Sequence, residues 1–293
     1  MEINFENLYK IDEILQKICI IEQKINGEKR WLNISEASHY LGYSKDHIHK
    51  LKDSYFIENL ESFEELIEVY NLHKEMNPEK TIIVTLDNLG QAEYTSVHST
   101  MSNDLDVIEG YDLSGIDKEC FENGEHLGYL STPSEFFILK ENFLKQVKDV
   151  DFLAACDKGL TIDEDELAIL EEINQSPFDF LDKEIILRIV PVKNAYEGVC
   201  GFPNGYFASD LDPFENYALA KHLFEKYGLE LFGIGASFLG FIMNRTLNVQ
   251  EVQELGVDLS NLYDTTPELL ARLLKITQEK GYLFLKYVEY LDH

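Results

Sequence analysis

The sequence predicts an α+β protein: an N-terminal helical helix-turn-helix module, followed by an acidic mixed α/β body. Three observations predict it. Apolar residues recur at helical spacing through the first 52 residues. Charge is split unevenly, with residues 1–57 nearly neutral and the remainder strongly acidic. Beyond the split, the apolar β-runs Thr81–Leu86, Ile185–Val192 and Tyr282–Val288 are interleaved with helical patterns.

The chain of 293 residues carries 25 Lys/Arg against 54 Asp/Glu, a net charge of −29. Residues 1–57 hold eight Lys/Arg and nine Asp/Glu; residues 58–293 hold 17 and 45, a net of −28. That step sets a domain boundary at 57/58, and the start of the long apolar strand sets a second, giving segments 1–57, 58–184 and 185–293. A hydrophobic fraction of 45% excludes wholesale disorder. So acidic a body repels phosphate backbones and anionic lipid, which excludes general nucleic-acid binding by the whole chain. The uncharged stretch Leu231–Met243 is well short of the roughly 18 residues a membrane span needs. No basic-then-apolar leader opens the sequence. Cys19, Cys120, Cys156 and Cys200 are scattered, without a Cys-x-x-Cys pair. The expectation is a cytoplasmic protein with reduced thiols, no membrane contact, no metal and no cofactor.

Leu8, Ile11, Leu15, Ile18, Glu22 and Ile25 follow the 3-4-3-4-3 spacing of a coiled-coil seam with one polar position. Residues 8–25 therefore form either a homodimerisation helix or an amphipathic helix packed on its own chain. After Asn26-Gly27, Ser35 can cap a short helix, Gly42 a tight turn, and Ser44 a second helix with Ile48 and Leu51 inward. Ser44, Lys45, His49, Lys50 and Lys52 are the candidate DNA contacts of that second helix, within a segment spanning residues 30–52. Leu32, Glu36, Ala37, Tyr40, Leu41, Gly42 and Ser44 resemble the pattern of the excisionase-like winged helix-turn-helix family. That resemblance implies a basic β-wing after the helix pair. Here Phe56–Glu65 is acidic and reads as helical, so the wing is absent or replaced.

Phe63–Met76 has helical periodicity, and Thr81–Leu86 is a short β-run. Glu93–Gly128, rich in Asp, Ser, Asn and Gly, reads as short strands and loops. Phe136–Leu139 and Phe143–Val150 give mixed strand and helix patterns. Asp157–Leu167 resembles a calcium loop only faintly, since two oxygen ligands and the turn glycine are missing; an acidic first turn on a helix through Leu167, Leu170 and Ile173 explains it.

Ile185–Val192 reads as a buried strand followed by a polar loop to Asp212. Pro213–Tyr227 reads as a helix closed by Gly228. Leu229–Arg245 reads as a strand pair turning at Gly235-Ala236-Ser237, then come helices Val249–Leu255 and Pro267–Glu279 and the strand Tyr282–Val288. Val190-Pro191-Val192-Lys193-Asn194-Ala195-Tyr196-Glu197, then Glu225-Lys226-Tyr227-Gly228 and Leu285–Asp292, resemble the domain of unknown function 4253 family over residues 185–293. The resemblance implies a fold and no activity.

Asn194, Tyr196 and Glu197 are a candidate ligand or partner site, because α/β folds often place ligand groups at a strand's C-terminal end. The competing reading has Asn194 and Glu197 satisfying backbone groups of their own loop. Three functions follow. The first is a non-enzymatic acidic binding protein, of the immunity or inhibitor kind, that neutralises a basic protein partner such as a toxin. The second is a DNA-binding regulator acting through the helix-turn-helix. The third is an enzyme centred on Asn194–Glu197 with Glu197 as general base.

Overall fold

The computed structural model describes residues 31–33, 54–58, 60–128, 130 and 132–291. The coiled-coil-like segment 8–25 and the helix-turn-helix contacts Ser44, Lys45, His49, Lys50 and Lys52 lie outside them. The strands are β1 (Trp31–Asn33), β2 (Ser54–Glu58), β3 (Thr81–Thr85), β4 (Phe121–Glu122), β5 (Glu125–His126), β6 (Glu184–Val190), β7 (Leu229–Ile234), β8 (Phe238–Met243) and β9 (Tyr282–Lys286). The α-helices are α1 (Phe63–Met76), α2 (Leu89–Ser102), α3 (Phe136–Gln146), α4 (Phe152–Asp157), α5 (Glu164–Gln175), α6 (Pro213–Tyr227), α7 (Val249–Leu262) and α8 (Ala271–Lys280).

One mixed sheet organises the body. Its six strands from β2 to β9, with the short β1 added at one edge, run in the order β1-β2-β6-β3-β7-β8-β9. Every pairing is antiparallel except β3 with β7, where Val84 faces Gly233 and Thr85 faces Ile234. The chain is therefore α+β, as expected. β6 is buried through Ile185–Val190, which explains its unbroken apolar run. Phe63, Phe232 and Phe284 from α1, β7 and β9 meet edge to face at centroid distances of 5.8–6.0 Å.

The free edge at β9 is closed from the side. Asn174 on α5, fully buried, accepts from the Phe284 backbone N–H at 2.8 Å and donates to the Phe284 carbonyl at 2.9 Å. One side-chain amide thus substitutes for the missing neighbouring strand at that position, which removes an exposed pairing edge.

Several expectations hold. Phe63–Met76 is α1, with Ser62 accepting from the Glu65 N–H, and Thr81–Thr85 is β3. Pro213–Tyr227 is α6, closed by Gly228 in the left-handed region. The strand pair turns at Gly235–Ser237, and the helix through Leu170 begins with an Asp163–Glu166 capping box rather than a cation loop. The helix expected at Val249–Leu255 runs on to Leu262, and the α-helix expected from Pro267 begins at Ala271.

Two expectations are corrected. Of Phe56–Glu65, read as an acidic helix, Phe56–Glu58 belongs to the strand Ser54–Glu58, in which all five residues pair with β6 and Phe56 and Ile57 are buried, while Phe63–Glu65 opens α1. Cross-strand burial overrides the helical look of the glutamates around it. Glu93–Ser102, expected as short strands and loops, belongs to the helix Leu89–Ser102. Its buried face starts with Leu89 and Ala92 and continues with Thr95, Ser96, Ser99 and Thr100, so past the first turn it leaves no apolar periodicity in the sequence. The hydroxyls are satisfied locally, with Thr100 Oγ1 donating to the Ser96 carbonyl at 2.8 Å. The mixed segment Phe136–Leu139 and Phe143–Val150 resolves to helix α3 followed by a 3₁₀ turn. The charge boundary at 57/58 falls inside β2.

Candidate functional site

The residues singled out at the end of β6 do lie together. The Asn194 backbone N–H and its Nδ2 both donate to Glu197 Oε2, at 3.1 and 3.2 Å. Glu197 Oε1 lies 3.8 Å from Lys140 Nζ. Tyr196 packs on Tyr217 and Phe224 at 5.4 and 5.6 Å, and burial, with Glu197 and Glu225 behind it, pushes its phenol up. The polar capacity of Asn194 and Glu197 is thus spent on starting the 3₁₀ turn Ala195–Gly201. Asp212 and Glu215 likewise cap α6, and Asp210 accepts from the Glu289 N–H at 2.9 Å.

A different face carries the features of a contact site. On α2, Tyr94, His98 and Met101 follow one another at i, i+4 and i+7, which puts them on one side of the helix. The loop after the 3₁₀ turn adds Tyr206 and Phe207. Tyr94 and His98 rings are 4.1 Å apart, His98 and Tyr206 5.1 Å, and Tyr206 and Phe207 5.4 Å. These contacts make a continuous aromatic platform, yet Tyr94 remains 49% exposed, Met101 58%, Tyr206 39% and Phe207 46%. Large apolar side chains clustered in water mark an interaction surface more often than single ones do.

The platform is fastened from beneath. Asn204, 1% exposed, accepts from Thr95 Oγ1 and donates from Nδ2 to the Gly235 carbonyl at 3.5 Å. Ser99 Oγ donates to the Gly205 carbonyl at 3.4 Å, and Asn216 Nδ2 to the Asn204 carbonyl at 3.0 Å. Tyr287 OH donates to the carbonyls of Gly235 and Ala236 at 2.7 and 2.9 Å. Gly205 has φ +106°, and a Cβ there would sit 2.0 Å from the Leu211 carbonyl oxygen. Only glycine lets the chain turn there and lift Tyr206 and Phe207 beside α2. The other side of α2 is tied to the sheet: Arg188, 2% exposed on β6, pairs with Glu93 and lies 4.4 Å over the Phe202 ring.

Directly after α2 the chain turns acidic. Residues 104–125 contain eight carboxylates and one lysine, and most of the carboxylates are exposed. The helix that carries Tyr94, His98 and Met101 therefore leads directly into a strongly negative segment.

A further polar knot lies between α4, α6 and α7. Asp258 Oδ2 accepts from His222 Nε2 at 2.6 Å, Lys226 Nζ at 2.8 Å and Tyr227 OH at 2.5 Å, and Phe152 stacks on His222 at 4.0 Å. The hydrogen bonds from these donors hold the carboxyl below its ordinary value despite its burial. Cys156 lines the same cleft, but burial pushes its thiol up to about 11, away from a thiolate nucleophile.

Comparison with protein-family models, with curated proteins and with solved structures finds no match for the chain. Among the described residues no cluster of three or more His, Cys, Asp or Glu side chains is arranged to hold a metal ion, and no helix is long and apolar enough to cross a membrane.

Sequence reasoning missed the platform because its residues are split between two segments 112 positions apart. The trace it left was Tyr94, His98 and Met101 at helical spacing in a stretch otherwise poor in large apolar residues.

Proposed function

We propose that this protein is a non-enzymatic acidic binding protein that holds a basic protein partner against the platform of Tyr94, His98, Tyr206 and Phe207. The observation carrying this reading is the preorganised exposure of those rings above a buried polar fastening, on a helix that leads into the carboxylates of 104–125. Rigid aromatic anchors supply the central energy of many interfaces, and surrounding charge steers the encounter and selects the partner's sign. Neutralisation of a basic toxin is the biological form this reading takes.

A second reading is DNA contact through Ser44, Lys45, His49, Lys50 and Lys52. It is supported by the basic character of Lys45, Lys50 and Lys52 in a chain that is otherwise strongly acidic. We also infer that the elements of residues 185–293 are of the 4253 type, sharing one sheet with β2 and β3 from earlier in the chain. Their order of strand, helix, strand pair, two helices and strand supports this.

The test is affinity capture from native cells at low salt with the wild-type chain and with Tyr206→Ala, sequencing both protein and DNA. The expected result is one basic protein in stoichiometric amount, lost with the variant and on raising salt. Capture that is unchanged by Tyr206→Ala counts against the platform. Enrichment of a discrete DNA site with no protein partner favours the second reading.

A further inference from the structure

We propose that Asn123, at the tip of the β4–β5 hairpin, is a site of covalent modification where the chain converts its own side-chain amide to aspartate and isoaspartate. The sequence holds three Asn-Gly pairs, at 26–27, 123–124 and 204–205. The first lies outside the described residues. The other two stand in opposite surroundings, and that contrast assigns the site. The inference does not depend on the partner-binding reading.

Asn123 and Gly124 are the two turn residues between β4 and β5, with φ of +53° and +87°. Left-handed conformation at both positions is the tight hairpin turn that Asn-Gly suits. Both residues are exposed, and a Cβ on Gly124 would meet nothing within 4 Å. Among the described residues nothing hydrogen-bonds the Asn123 side chain or the Gly124 N–H. The ladder behind the turn has two residue pairs, Phe121 with His126 and Glu122 with Glu125. Its base is anchored. The Gly128 N–H donates to His126 Nδ1 at 3.0 Å, which leaves Nε2–H to donate to the buried Glu135 Oε1 at 2.7 Å. The tip has no such tie, so opening it gives up one ladder pair and costs little.

Once the turn opens, the Gly124 backbone nitrogen attacks Asn123 Cγ. An N–Cγ bond forms, the Cγ–Nδ2 bond breaks, and the Gly124 amide proton leaves with Nδ2 as ammonia. Water then opens the succinimide at either carbonyl, giving aspartate or isoaspartate with no change of oxidation state. Glycine favours the attack because no side chain shields its nitrogen. Asn204 is held out of the same reaction. It is buried, its Oδ1 accepts from Thr95 Oγ1 and its Nδ2 donates to the Gly235 carbonyl, while Gly205 is wedged against Leu211 and Asp212. Reaction at 123 adds a carboxylate to a segment that is already acidic. Isoaspartate also lengthens the main chain by a methylene inside a two-residue turn, which the hairpin geometry does not accommodate.

Incubation of the full native chain at mildly alkaline pH, followed by peptide mapping that separates aspartate from isoaspartate, tests this. We expect product at 123 to exceed product at 204 by about tenfold or more, because reaction at 204 requires the core to open. In guanidinium the two positions should react at similar rates, since glycine follows both and burial no longer separates them. Asn123→Gln, whose side chain is a methylene too long to close the succinimide ring, should remove the product at 123 and leave 204 unchanged. A thermal midpoint establishes that the variant is folded. Equal reaction at 123 and 204 in the native chain, or reaction at 123 only after denaturation, would overturn the proposal.

Discussion

Replacing His73 with Phe should change how stability depends on pH. His73 sits on α1, 2% exposed, with its ring 4.8 Å from Tyr55. Burial holds its imidazole down to about 4, from an ordinary value of 6.5. The unfolded chain therefore takes up a proton between pH 6.5 and 4 that the folded chain refuses, so stability falls as pH drops through that window. At 1.36 kcal/mol per pH unit, the loss between pH 7.5 and pH 5 works out at about 2 kcal/mol. Asp87 acts in the opposite sense. Burial pushes its carboxyl up to about 6 from 3.8, against hydrogen bonds from Ser237 and the Phe238 N–H. The folded chain then keeps a proton that the unfolded one has lost, and stability falls as pH rises from 3.8 to 6, by about 1.4 kcal/mol over the pH 5–7.5 interval. The two groups largely offset each other in the wild type. Phe keeps a ring and removes the titration, and its packing change is independent of pH, so the pH dependence of the difference between the His73→Phe and wild-type profiles isolates the histidine titration. Urea midpoints at pH 5, 6 and 7.5 measure it, all above the isoelectric point near 4.5. The variant should gain about 2 kcal/mol on the wild type between pH 7.5 and pH 5. A difference that stays constant across that range would refute the reasoning, since it would mean the folded imidazole titrates as it does in water.

Asn174→Leu should destabilise the chain by about 2–5 kcal/mol, because the Phe284 N–H and carbonyl each lose a buried partner. Denaturant unfolding checks this, and a loss under about 1 kcal/mol would mean water or another group replaces the amide. Gly205→Ala should reduce partner capture and lower the thermal midpoint together, since the Leu211 carbonyl must move before the methyl fits. Tyr206→Ala, by contrast, should leave the midpoint nearly unchanged, as surface substitutions usually stay within about 0.5 kcal/mol.

Much of the C-terminal third was legible because its elements advertise themselves. Pro213 and Gly228 bracket α6, and the β6 run is apolar because both its faces are covered. The middle was less legible for a physical reason. α2 buries hydroxyls that bond to their own helix and to Asn204, so no hydrophobic period exposes it. β2 was hidden by the glutamates that follow it, and its partners β1 and β6 make it a strand. The chemistry expected at Asn194 and Glu197 came from real proximity, but those polar atoms close a turn. No single-sequence pattern distinguishes a capping carboxylate from a working one.

The charge of −29 acts on this protein in two opposed ways, and salt separates them. In the free chain, like charges repel and lower the stability of the folded state, so screening should raise the unfolding midpoint. At the proposed interface the same charges would attract a basic partner, so screening should slow association and weaken the complex. An interface held only by the platform rings would be nearly indifferent to salt, while one held only by charge would dissolve at moderate ionic strength. The geometry predicts an intermediate case. Association should slow steeply as salt screens the carboxylates of 104–125, while dissociation, governed by the desolvated rings of Tyr94, Tyr206 and Phe207, should change little. Association and dissociation rates measured against salt would test this division directly. A dissociation rate that rises with salt as steeply as association falls would assign the binding energy to the carboxylates and leave the platform without its role.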